Sequence, residues 1–160
     1  MSERTPEVLF VTGRFEARGS SMQVVTLARK LSPAGFRVGI VCRDASLLPA
    51  ALRAEFDVME VTHLGVPLLG RIVRQLLGNE IAREPPDLIH VQQRSALPLG
   101  QWLSRRLRRP LIASIHDHVH SQELPATSFN GVQRVIAVSE SVRTELIDQY
   151  PRLAERVTVV

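Results

Sequence analysis

The sequence predicts an α/β fold in which helices cover both faces of a mostly parallel sheet of about seven strands. Short runs rich in Val, Ile and Leu recur along the chain, at 8–12, 38–42, 88–91, 111–115, 135–138 and 157–160. Most of them are nearly continuous rather than alternating, which is typical of strands that are buried on both faces. Because helical patterns separate the runs, we expect a three-layer, doubly wound arrangement of the Rossmann-like type.

Helices are predicted between these runs. The segments 68–83, 97–107 and 140–149 carry apolar residues at helical spacing, and a weaker pattern covers 46–55. The segment 20–31 opens with Ser20 and Gln23 at the spacing of a capping box, in which the two side chains satisfy free amides of the first turn. The run 56–61 alternates apolar and acidic residues instead, which indicates an edge strand.

Length and composition indicate a single domain that spans 1–160. The 44% hydrophobic and 22% charged content is ordinary for a globular protein. The apolar runs are too short to span a membrane, the N-terminus has no signal-peptide pattern, and the lone Cys42 fits a reducing compartment. We therefore expect a cytoplasmic protein. The net charge of +4 is scattered and the few aromatic residues do not interleave with it, so no nucleic-acid partner is expected.

A loop with two glycines, Gly13 and Gly19, joins the first strand to a helix start. Glycine lets the backbone approach a ligand, and the amides of a helix N-terminus attract anions. The loop is not a dinucleotide fingerprint, which would need glycine where Phe15 stands. It is not a Walker loop either, which would need glycine where Arg18 stands and lysine after it. The alternative is a flexible connection that leads into a capped helix.

Polar residues also end the later strands. By two-residue alternation His90 and Gln92 share a face, with Gln92 nearer the ligand edge; we interpret His90 as a hydrogen-bonded core residue. His116, His118 and His120 then follow the strand 111–115. No second cluster of His, Cys or Glu supports a metal site, so no metal is expected. A histidine that hydrogen-bonds a polar ligand is favoured, and a solvated histidine-rich loop is the alternative.

Taken together, these segments resemble the N-terminal domain of family 4 glycosyltransferases, which have the two-domain GT-B architecture. The resemblance covers essentially the whole chain, and it rests on the order and spacing of motifs that are weak individually. The motifs are the strand 8–12 with the Gly19 loop, PDLIHV at 86–91, ASIHD at 113–117, RVIAVSES at 134–141 and ERVTVV at 155–160.

The resemblance implies the acceptor-binding half of a retaining glycosyltransferase that uses a nucleotide-sugar donor. It implies no cofactor and no obligatory metal. His116 matches the family histidine that hydrogen-bonds the transferred sugar, and is the catalytic candidate. The binding candidates are Gly13, Gly19 and Ser20 beside the donor phosphates and reacting sugar, and Gln92, Asp117 and His118 around the acceptor.

Three positions depart from the family pattern. Ser20 stands where a second glycine is usual, Met22 where glutamate is frequent, and Gln92 where a second histidine is common. The donor-binding C-terminal domain is absent from these 160 residues. We therefore expect this domain to be inactive alone, to meet the nucleotide sugar through the missing domain, and to bind a sugar or lipid-linked acceptor itself.

Basic residues on two predicted helices allow two interpretations. Arg71, Arg74 and the cluster at 105–109 would suit a peripheral contact with anionic lipid at the inner membrane face. A solvated outer face explains the same charges, and we favour it.

Two other functions fit the same fold class. Asp44, just after the second strand, is placed to contact a ribose, and Arg43 to contact a phosphate, as in a stand-alone nucleotide-binding module. A sugar-nucleotide epimerase half would need acidic catalytic residues at strand ends, where only Asp44 and Asp117 qualify. Fold alone does not separate these functions.

Overall fold

The computed structural model describes residues 4–15, 19–117 and 129–160. The strands are β1 (Glu7–Val11), β2 (Arg37–Cys42), β3 (Asp57–Glu60), β4 (Leu88–Val91), β5 (Leu111–Ile115), β6 (Arg134–Ala137) and β7 (Val157–Val159). The α-helices are α1 (Ser20–Leu31), α2 (Ala50–Glu55), α3 (Leu69–Ile81), α4 (Leu97–Leu107) and α5 (Glu140–Gln149). Within the described ranges, each helix is too short or too polar to cross a membrane.

All seven strands belong to one sheet, in the order β3-β2-β1-β4-β5-β6-β7. Every neighbouring pair is parallel, which confirms the predicted sheet. The chain leaves β1 toward β3 on one side and returns to β4 on the other, so the strand order reverses between β1 and β4. In open α/β sheets the carboxyl ends of the strands at such a switch point form the usual ligand crevice.

Each face of the sheet has its own hydrophobic core. Leu9 and Val11 belong to the core that includes residues of α3, α4 and α5. Their neighbours Val8 and Phe10 belong to the other core, with residues of α1 and α2. Fully burying side chains such as these contributes about 1.5–3 kcal/mol each, which is why β1 is apolar at successive positions rather than alternating.

The edge strand is also as predicted. β3 lies at the end of the sheet, and its residues are exposed or half-buried. The weak helical pattern of 46–55 is a helix only from Ala50 onward. Before it, Asp44 Oδ1 accepts a hydrogen bond from the Ser46 amide at 2.9 Å, which forms a turn instead of a helical start.

The start of α1 differs from the prediction. Gly19 is the N-cap, with φ 66° and ψ −137°, and its carbonyl accepts hydrogen bonds from the amides of Met22 and Gln23 at 3.1 and 3.3 Å. Ser20 is already the first helical residue, so the predicted Ser20–Gln23 capping box is wrong. The reason is conformational, since a backbone with this φ and ψ is accessible almost only to glycine.

Candidate functional site

Gly13, at the start of the loop after β1, is hydrogen-bonded to residues that follow β4 and β2. The Gly13 amide donates to Gln93 Oε1 at 2.8 Å, and its carbonyl accepts from the Arg43 amide at 2.9 Å. A Cβ on Gly13 would lie 2.4 Å from Gln93 Oε1 and 2.8 Å from Ser95 Oγ. A side chain at position 13 would therefore displace the Gln93 and Ser95 side chains and break the hydrogen bond from Gly13 to Gln93.

An ion pair joins the same loop to the end of β2. Arg14 Nε lies 3.0 Å from Asp44 Oδ2, and the two residues also form an isolated parallel β-bridge. The hydrogen bonds from Ser46, and then the charge of Arg14, lower the pKa of the Asp44 carboxyl. Asp44 is thus an ionised group engaged by its own chain, rather than a carboxylate left for a ribose.

Four polar side chains form a hydrogen-bonded chain across the ends of β4 and β5. Ser114 Oγ is 2.8 Å from His90 Nε2, and Gln92 Nε2 is 3.0 Å from the same nitrogen. Gln92 Oε1 is 3.2 Å from His116 Nε2. Because Gln92 Oε1 can only accept, His116 Nε2–H donates to it, and the Gln92 amide nitrogen donates to the His90 ring.

Burial keeps both imidazoles neutral. It lowers the pKa of His90 to about 4, and the neighbouring His116 adds to the effect. Burial also lowers the pKa of His116, against the opposing charge of Asp117. A neutral His116 that donates through Nε2 keeps a lone pair on Nδ1, so it can accept a hydrogen bond from a sugar hydroxyl.

The structure brings most of the predicted site residues to one edge. Gly13, Gln92 and His116 follow β1, β4 and β5, which are adjacent in the sheet. Asp117 is exposed beside His116. Gly19 is exposed where α1 begins, and Ser20 lies next to it in the helix. The side chain of Ser20 and all of His118 lie outside the described residues.

The structure also shows the environment of His90 and of the possible metal ligands. His90 is buried and hydrogen-bonded, as the interpretation of a core residue requires. In the described part of the chain, no three His, Cys, Asp or Glu residues come together in a way that could hold a metal ion. His118 and His120 fall outside that part, so the absence of a metal stays a prediction.

The sequence did not indicate the role of Gln93, or a cavity of about 520 Å³ at the ends of β1 and β2. Gln93 directly follows Gln92 at the end of β4, and this position was the available signal. The cavity has no comparable sequence signal, because four separate segments form it. Its lining comprises Thr12, Arg43, Leu64–Leu68, Gly70, Arg71, Arg74, Ser95, Ala96, Pro98 and Leu99.

Solved structures share this fold. HepE of Anabaena, crystallised in complex with UDP and glucose, is 21% identical, with a TM-score of 0.71 over 97% of this chain and 44% of that chain. A glycosyltransferase from Rickettsia africae ESF-5 is 15% identical, with a TM-score of 0.76 over 98% and 43%. The apo lipopolysaccharide outer core galactosyltransferase WaaB is 10% identical, with a TM-score of 0.70 over 96% and 44%. This chain therefore spans less than half the length of each.

Sequence comparison gives the family. No curated protein matches the chain. The family model described as Glycosyltransferase Family 4 matches residues 17–160, which include α1, the whole sheet after β1, and His116. The chain therefore belongs to Glycosyltransferase Family 4.

Proposed function

We propose that this chain is the acceptor-binding half of a retaining glycosyltransferase that uses a nucleotide-sugar donor. The observation that carries the proposal is the hydrogen bond between His116 and Gln92 at the carboxyl edge of a family 4 sheet. The crystal complex of HepE with UDP and glucose supports a donor of the nucleotide-sugar class. The chain is less than half as long as these relatives, so the donor-binding domain is expected in the remainder of a longer protein.

In the proposed reaction, the bond between the anomeric carbon and the donor phosphate oxygen breaks, and the nucleoside diphosphate leaves with the electron pair. The acceptor hydroxyl oxygen bonds to the same face of the sugar, and its proton passes to the departing phosphate oxygen. The sugar is cationic in between. A neutral His116 fits this step because it can accept from a sugar hydroxyl without adding positive charge, and the exposed carboxylate of Asp117 is favourable beside a cation.

The glycine loop would serve the departing diphosphate. Its last residue, Gly19, caps α1, and the first turn of that helix holds no acidic residue. The first amides of a helix have no intrahelical acceptor and carry the positive end of the helix dipole. They can therefore accept negative charge as it develops on the phosphate. No step in this scheme needs a cofactor of the domain's own.

The structure supports the two alternative functions, a nucleotide-binding module and an epimerase half, less well. A nucleotide-binding module would use Asp44 on a ribose, but that carboxylate is engaged by Arg14 and by the Ser46 amide. An epimerase half would use Asp44 and Asp117 as its acids, and the pairing of Asp44 leaves only Asp117 for proton transfer. Glycosyl transfer is therefore the function that the site supports best.

A donor panel tests the proposal. The longer protein that contains this chain would be incubated with UDP-, GDP- and ADP-sugars and a lipid and oligosaccharide extract, and release of nucleoside diphosphate would be measured. One donor should give release that depends on the extract, with the product keeping the donor's anomeric configuration. The matched control is the 160-residue chain alone, which should release none.

Three outcomes would overturn the proposal: no release with any donor, an inverted product, or tight binding of NAD by the isolated chain in a thermal-shift assay. The last result would favour the stand-alone module, and conversion of a sugar nucleotide to its epimer without transfer would favour the third function.

A further inference from the structure

The cavity of about 520 Å³ has features that the transfer chemistry does not use. It opens at the carboxyl edge, between the ends of β1 and β2, the 64–68 segment, and the starts of α3 and α4. Its volume of about 520 Å³ lies within the range of small-molecule sites. In the proposed enzyme, such a cavity next to the reacting edge is where the acceptor would lie.

Three guanidinium groups line this cavity, from Arg43, Arg71 and Arg74, and its described lining contains no Asp or Glu. None of the three takes part in a salt bridge within the described ranges; Arg74 instead lies over the ring of Trp102, at 5.3 Å from the centroid. Three unneutralised cations around one cavity favour an anionic ligand, and guanidinium groups match phosphate oxygens particularly well.

Part of the lining is apolar. Leu64, Val66, Pro67, Leu68 and Leu99 contribute to it, and Val66 and Leu68 are 44% and 73% exposed. Apolar residues exposed beside a basic cavity suit a ligand that has an aliphatic part next to its charge.

We propose that this cavity binds a phosphate monoester of an aliphatic alcohol, with the phosphate between Arg43 and Arg71 and the chain along Val66 and Leu68. The proposal rests on the proposed function in one respect, in that an amphiphile of this class that also carries a free hydroxyl would be the acceptor. Binding itself is independent of catalysis and can be measured separately.

Binding to the full chain would be followed by calorimetry and by the fluorescence of Trp102, the single tryptophan of the sequence. The probes are octyl phosphate, inorganic phosphate and octyl glucoside, each below its micellar concentration. Octyl phosphate should bind at least tenfold more tightly than either of the others, because only it offers both the charge and the chain. Equal affinity for inorganic and octyl phosphate would overturn the role of the apolar wall, and equal affinity for the two octyl probes would overturn that of the arginines.

Variants separate the parts of the cavity. Arg43→Ala or Arg71→Ala should weaken octyl phosphate binding at least tenfold and leave octyl glucoside unchanged. Leu68→Ser should weaken octyl phosphate and leave inorganic phosphate unchanged. Arg105→Ala removes an exposed arginine outside the lining and is the matched control, with native affinity expected.

Vesicles identify the source of the phosphate. Vesicles of phosphatidylcholine with phosphatidic acid should bind the chain through the cavity if the acceptor is a membrane lipid, and octyl phosphate should then compete. Vesicle binding that is unchanged in Arg43→Ala and Arg71→Ala would mean a surface contact and would overturn the cavity assignment. If octyl phosphate binds but the donor panel shows no sugar transfer, only the proposed function is contradicted. If sugar is transferred but octyl phosphate does not bind, only this inference is contradicted.

Discussion

His90 and His116 belong to one hydrogen-bonded chain, with Gln92 between them and Ser114 at its buried end. Both imidazoles have a lowered pKa because both are taken out of water. The deeper one, His90, also packs against Phe10, with ring centroids 5.2 Å apart. At the scale of the residue, the site thus depends on a buried polar network that holds His116 in place and keeps it uncharged.

The pH dependence of stability tests this network. Below pH 6.5 an unfolded histidine takes up a proton, whereas His90 in the fold stays neutral until about pH 4. The unfolded state then binds more protons, so the free energy of unfolding should fall as the pH drops from 6.5 to 4, by up to about 3 kcal/mol. Urea denaturation across this range measures it.

In His90→Gln the part of this pH-dependent decrease in the free energy of unfolding that comes from His90 should disappear. Stability at pH 7 should be lower, because the contact with Phe10 is lost. The exposed His63→Asn is the control for losing a histidine at a position with φ 62°, which asparagine tolerates. An unchanged slope in His90→Gln would show that His90 is not the group responsible.

Residue types at strand ends were readable from the sequence, because alternation places His90 and Gln92 on one face and the strand length places Gln92 at the edge. The hydrogen-bond partners of these residues were not readable. Gln93 accepts from Gly13, and Arg14 pairs with Asp44, because the strands that carry them are neighbours in the sheet. The periodicity of a sequence does not show which strands are neighbours.

The α1 helix shows how an element begins where the backbone rather than a side chain provides the cap. Gly19 has φ 66°, and a Cβ built there would meet nothing within 4 Å. The constraint is therefore conformational and not steric contact with neighbours. At the scale of the element, the position of the first α1 amides near the proposed diphosphate depends on this glycine.

Gly19→Ala should lower the free energy of unfolding by about 1–2 kcal/mol, because a side chain at this φ is strained. Chemical denaturation measures the loss. Gly65→Ala is the matched control, since Gly65 has no positive φ and its added Cβ would meet only Arg43 at 3.7 Å. Equal losses of stability in the two variants would show that the positive φ of Gly19 is not the cause.

Helix positions were largely predictable, because an apolar stripe at helical spacing leaves little choice. The segments 97–107 and 140–149 are the helices α4 and α5, and 68–83 contains α3. The cap of α1 was predicted wrongly because Ser20 and Gln23 have capping-box spacing, and spacing alone does not report the φ of the preceding glycine.

The whole molecule is a sheet between two helical layers, and Cys42 reports on its integrity. Cys42 lies at the end of β2 in the core shared with α1 and α2. It is fully buried, and burial raises the pKa of its thiol to about 11. A buried, protonated thiol is a poor nucleophile.

Cys42 should therefore react with a thiol reagent at pH 7.5 at least a hundredfold more slowly than the urea-unfolded chain, measured by absorbance. The rate should rise along the unfolding transition, since the thiol becomes accessible only when the layers separate. Rapid labelling of the native chain would show that the α1 and α2 layer opens independently of the sheet.

The fold class was predictable from the nearly continuous apolar runs, since these require a sheet covered on both faces. The cavity of about 520 Å³ was not predictable, because it exists only where the ends of β1 and β2, the 64–68 segment and α4 meet. The strand order brings these segments together, and the reversal of that order between β1 and β4 is visible only in the three-dimensional structure.

Turnover of the His116→Ala variant tests the central claim most directly. In the longer protein with its donor and acceptor, the initial rate of sugar transfer should fall about a hundredfold or more, with the domain still folded and with native turnover in the His63→Asn control. Native turnover in His116→Ala would contradict the account, because the carboxyl edge around Gln92 and His116 would then not be where the sugar is transferred.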